Sequence, residues 1–100
     1  MELKDRLNIL VQGSLLAQSK GVLSLDDAVY VKKAIDCIND NTELDISSKI
    51  LIKTVTNAQS KGCYSLKDAY LIYAAINGIE DLLPKELPKE DDTDKKEDEK

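Results

Sequence analysis

Three polar positions recur along this chain at a constant separation of forty-one residues: Gln18, Lys20 and Asp27 return as Gln59, Lys61 and Asp68. Gathered into one place, their amide groups, ammonium groups and carboxylates could hold a small ligand or an ion. The letters around them are AQSKGVLSLDDA at 17–28 and AQSKGCYSLKDA at 58–69, each centred on a glycine.

A glycine-centred loop between two helices, present as a pair, invites comparison with paired EF-hands, so the ligand set is the first test. With Gly21 and Gly62 at the glycine of a calcium loop, Leu16, Gln18 and Lys20, or Asn57, Gln59 and Lys61, stand where oxygen donors are required. Asp27 and Asp68 alone match, at the closing acidic position. An ammonium group directed into such a cage repels the ion, so no metal is expected, and an EF-hand-like topology without metal is the reading that remains.

Catalytic constellations are scarce. The sequence has no histidine, which removes the usual general base, most metal sites and histidine-activated nucleophiles. The paired acids Asp26–Asp27 and Glu80–Asp81 fall at helix ends, where solvated carboxylates are ordinary, and no glycine-rich phosphate loop is present. No enzyme and no cofactor are expected. Cys37 and Cys63 occupy non-equivalent places in the two copies and read as reduced, packed thiols.

The elements that position these residues follow from the repeat. Overlaying 5–40 on 46–81 gives about fifteen identities in roughly thirty-six positions, which reads as a duplicated supersecondary unit. Within each copy, Gly21 or Gly62 stops a first helix by entering the left-handed region past its C-cap. Val22 and Cys63 then return to Ala17 and Ala58, and Lys20 and Lys61 place positive charge by the last carbonyls. Ser24 and Ser65 start the second helix as N-caps, with Asp27 and Asp68 three residues on as capping-box partners and Leu23 or Tyr64 stapling to Ala28 or Ala69.

Apolar spacing assigns the faces. Leu3, Leu7, Leu10, Val11 and Ser14 share one face of the first helix, and Leu25, Ala28, Val31, Ala34, Ile35 and Ile38 one face of the second. The second copy supplies Ile50, Leu51, Val55 and Ala58, then Leu66, Ala69, Ile72, Ala75, Ile76 and Ile79. Neither hairpin can cover its own stripe, so the copies are expected to pack about a pseudo-twofold axis as an all-α, four-helix globule. Residues 39–47 form the linker, with Asp45 or Ser47 capping the third helix.

The folded domain is expected over 1–83, with 84–100 a disordered charged tail, since only Leu87 and two prolines interrupt its polar run. Eight acids against five lysines in that tail leave a net charge of −2 on the rest, out of −5 for the chain. A body so nearly neutral is poor at gripping phosphates, and nucleic acid is not an expected partner. No apolar run is long enough to cross a bilayer and no secretory signal opens the chain, so a reducing, cytoplasm-like compartment is expected.

Binding through a surface is what remains. Of four tyrosines, Tyr70 and Tyr73, with Ala74 and Asn77, line a flank of the fourth helix where the second helix carries Val29, Lys32, Lys33 and Asp36. That flank either buries against the first or third helix or presents Tyr70, Tyr73 and Asn77 to a partner.

The pattern AQSKG-x-x-SL-x-DA followed by an Ala-Ile helix resembles short hairpin-repeat proteins of large DNA viruses and bacteriophages, over about a dozen residues per copy. The resemblance implies a small viral accessory or virion-associated protein, located in the host cytoplasm or the virion, and carries over no functional residue. The expected function is a non-catalytic module binding another protein or itself. The alternative is a small-ligand or ion sponge with Gln18, Lys20, Gln59 and Lys61 converging between the hairpins.

Overall fold

The computed structural model describes residues 2–83. The expected tail at 84–100 lies outside them. The described chain is all helical: α1 (Leu3–Ser19), α2 (Leu25–Asn39), α3 (Leu44–Ser60), α4 (Leu66–Ile76) and a single turn, α5 (Ile79–Leu82). The offset seen in the letters reappears in the elements, since α1 and α3 share their length and start and end at equivalent residues, and α2 and α4 both begin at the leucine after the capping serine.

Both connectors close as complete Schellman endings. Gly21 (φ 73°) donates its N–H to the Gln18 carbonyl at 3.0 Å and Val22 to that of Ala17 at 3.3 Å; Gly62 (φ 76°) and Cys63 repeat this on Gln59 and Ala58 at 2.9 and 3.2 Å. The Ser24 and Ser65 hydroxyls accept from the Asp27 and Asp68 N–H groups, each at 3.1 Å. A further Schellman ending stops α2, with Asn41 (φ 59°) in the glycine role, its N–H on Ile38 and that of Thr42 on Cys37.

Packing crosses the halves. α2 lies chiefly on α3, and α1 sits between α3 and α4, while contacts within each helix pair are sparse. The core is correspondingly two-sided, with Leu10 and Leu51, Ala17 and Ala58, Val31 and Ile72, and Ala34 and Ala75 buried as equivalent pairs. α1 passes close to its neighbours at Gly13, where a Cβ would stand 3.2 Å from both Val55 Cγ1 and Ile72 Cδ1.

Four expectations are corrected. The linker shrinks to residues 40–43, because two residues in left-handed conformation, Asn41 and Glu43 (φ 46°), turn the chain tightly and let α3 begin at Leu44, which is buried. Asp45 and Ser47 thus sit inside the first turn of α3 rather than capping it. Leu25 and Leu66 are not in the core: they are 83% and 88% exposed. They occupy the first helical position, one turn before the first packed alanine, and side chains there lean back toward the N-terminus and off the end of the bundle. The fourth helix also stops early, at Ile76. Gly78 (φ 82°) breaks it, and Arg6 from α1 donates to the carbonyls of Ala74, Ala75 and Asn77. The break re-aims Ile79 and Leu83 into the core.

Two substitutions test this packing in opposite directions. Arg6→Met removes a charged donor to the end of α4 and is expected to lower stability by about 2 kcal/mol, read as a fall in the urea midpoint. Ser14 is wholly buried with its hydroxyl unpartnered. Ser14→Ala therefore relieves a desolvation cost and should raise stability by about 1 kcal/mol in the same titration.

Candidate docking face of the fourth helix

The four duplicated polar residues do not converge on a ligand cavity. Lys20 extends from the first loop to donate to the Cys63 carbonyl at 2.6 Å, and Lys61 extends from the second to the Val22 carbonyl at 3.2 Å. Lysine and acceptor are equivalent in the two copies, so the bonds cross reciprocally and tie loop to loop. Each ammonium thus serves the other copy's loop rather than the carbonyls of its own helix. Gln18 and Gln59 are exposed, and of the four residues only Gln59 borders a groove described below. Gly21, Ser24, Gly62 and Ser65 hold the capping positions assigned to them, while Asp27 and Asp68 meet the serines through their backbone N–H groups and not as reciprocal capping-box acceptors.

α4 carries the predicted aromatic flank, and the flank faces outward. Tyr70 is 74% and Tyr73 64% exposed. With Leu66 and Asn77 they follow the four-three-four spacing of a single helical stripe, and Asn77 is exposed as well. The same stripe on α2 runs through Leu25, Val29, Lys32 and Asp36, where Lys32 and Asp36 form an exposed ion pair at 2.8 Å. One copy therefore presents charge and the other aromatic surface from equivalent helices.

Grooves flank α4 on both sides. Toward α3, a groove of about 170 Å³ runs beside Tyr73, edged by Thr56, Gln59 and Ile76. Toward α1, one of about 210 Å³ is edged by Ile9, Gln12, Leu16 and Leu71. Its counterpart in the other half, between α2 and α3, holds Tyr30, Lys53 and Asn57 where the α1/α4 groove holds Leu71, Gln12 and Leu16. The duplication thus supplies two similar clefts, and substitution makes the one beside α4 the more apolar.

Tyr64 joins the two grooves under α4. Its ring is buried, and its hydroxyl donates to the Gly13 carbonyl of α1 at 2.7 Å. The staple to Ala69 foreseen for it is secondary to this link, which sequence reading missed; the signal was a glycine in mid-helix, where the first copy has Gly13 and the second Thr54. Burial, and next the neighbouring Cys63 thiolate, push the Tyr64 phenol up from 10.0 to about 12.

No family model matches the chain, and neither a curated protein nor a solved structure matches it. Among the described residues, no helix is long and apolar enough to cross a membrane.

The raised Tyr64 phenol gives a signed pH dependence. The unfolded chain releases this proton near pH 10 and the folded chain only near 12, so its contribution is present below pH 10 and lost as pH rises through that window. The urea midpoint of the wild type should fall more steeply between pH 10 and 12 than that of Tyr64→Phe. At neutral pH the Phe variant should be less stable by about 1 kcal/mol, since the Gly13 bond is lost.

Proposed function

We propose that this protein is a non-catalytic interaction module that docks another protein on the outer face of α4, through Tyr70, Tyr73 and Asn77. The supporting observation is the exposure of Tyr70 and Tyr73 on α4, with Tyr73 lining one of the two apolar grooves that Tyr64 and Ile72 floor on either side of that helix. Aromatic side chains with few rotatable bonds lose little entropy on burial and dominate interface energetics. A partner side chain entering the α3/α4 groove would meet Thr56, Gln59 and Ile76 at its edge and Tyr73 along its length. On α2 the equivalent stripe carries the exposed Lys32–Asp36 pair in place of Tyr73 and Asn77.

The ligand-sponge alternative gains no support from the geometry, since Lys20 and Lys61 are committed to backbone carbonyls. The absence of histidine supports a binding role over catalysis. The resemblance of the repeat to viral hairpin proteins favours a viral accessory or virion-associated setting for this module.

The test is affinity capture of the partner by wild type and by Tyr70→Ala and Tyr73→Ala chains. Each exposed tyrosine should cost about 2 kcal/mol of binding when truncated, with helicity by circular dichroism unchanged. Undiminished capture by the double variant would refute the surface.

A further inference from the structure

Within the duplicated motif, nearly every identical letter has a structural task. The alanines pack, the lysines cross-bond, the glycines turn, the serines cap, and Ser19 and Ser60 bond back to the carbonyls of Leu16 and Asn57. Besides the exposed, polar Gln18 and Gln59, Leu25 and Leu66 depart from this, and as large apolar side chains they are 83% and 88% exposed at the first turn of α2 and α4. The crossed lysine bonds hold the two loops side by side, and each leucine opens the helix three residues beyond the bonded carbonyl of Val22 or Cys63, which puts both at the loop end of the molecule. Two large apolar side chains repeated in both copies and left in water are a surface awaiting cover.

The charges around them indicate what covers it. The first copy brings Lys20, Asp26 and Asp27 to this end, one base against two acids; the second brings Lys61, Lys67 and Asp68, two bases against one acid. Asp26 and Lys67 occupy equivalent places, each next to its leucine, with opposite sign. The end is thus one shape in two halves of opposite charge, which is complementary to itself after a half-turn.

We propose that this end is a self-association surface, on which a second copy of the chain seats head to head. Two half-turns could bring such ends together: one sets like copy on like and opposes Asp26 to Asp26, and the other sets first copy on second. The charges select the latter. Leu25 then packs against the partner molecule's equivalent of Leu66, and Asp26 pairs with its equivalent of Lys67, each contact formed twice. Because both contacts close at once, association stops at two. Leu66 also heads the tyrosine stripe of α4, but Leu25, Asp26 and Lys67 lie off that stripe, so the surface stands whether or not Tyr70 and Tyr73 bind a partner.

The contact is smaller than a standard interface, so a dissociation constant on the order of 100 μM is expected. Sedimentation velocity of the full chain up to about 1 mM at low salt reads it directly, with salt expected to weaken it. Asp26→Lys or Lys67→Asp alone sets like charges together and should weaken dimerisation by about tenfold or more. The double exchange, D26K with K67D, restores opposite signs and should restore the dimer. Leu25→Ser with Leu66→Ser should leave a monomer whose helicity is unchanged. A wild type that stays monomeric throughout overturns the proposal. So does a dimer indifferent to the single charge changes, or one abolished by Tyr70→Ala while the charge variants retain it, which would place self-association on α4 instead.

Discussion

Everything in this fold depends on the inability of either helix pair to bury its own apolar stripe. A helix of this length hides one face against a neighbour, and burial of apolar surface is the main term available to a domain of this size. Each half therefore packs on the other, with α2 on α3 and α1 between α3 and α4. The equivalent core pairs, from Leu10 with Leu51 to Ala34 with Ala75, are the direct result. The crossed Lys20 and Lys61 bonds add to this by fixing the loops relative to each other. They are donors on flexible stems, so they reinforce an arrangement that the apolar stripes require.

Departures from symmetry accumulate where the second copy meets α1. Gly13 stands where its counterpart is Thr54, and the space admits Val55, Ile72 and the Tyr64 hydroxyl. Gly78 replaces the equivalent of Cys37, and Arg6 collects the carbonyls released by the break. Together these differences shorten α4, seat it over Tyr64 between two grooves, and leave Tyr70 and Tyr73 outside. The first copy keeps its long α2 with an ion-paired outer face. One duplicated unit thus yields two helices with different surfaces.

The capping chemistry of the two glycine loops was legible from the letters. Gly21, Gly62, Ser24 and Ser65 act through bonds to residues within three to five positions, so local sequence specifies them. The stripes were legible as well, apart from Leu25 and Leu66, whose place at the first helical turn takes them beyond the reach of the packed face. The bonds of Arg6 to the end of α4 and of Tyr64 to Gly13 escaped notice because the partners lie far apart along the chain. Gln18, Lys20, Gln59 and Lys61 were read as a ligand set on their repetition, though for the lysines repetition reflects the pseudo-twofold axis, about which each meets the other copy's backbone.

The sequence by itself determined that the chain is helical, where α1 and α3 stop and α2 and α4 start, and that its two halves are equivalent, because caps, turns and helical periodicity act over a few residues. Only the tertiary structure decided which helices touch, that the paired lysines bond across the axis, and that the tyrosines of α4 and the leucines at the loop end remain in water. Exposure depends on what other segments cover, and no local pattern of residue types contains that information.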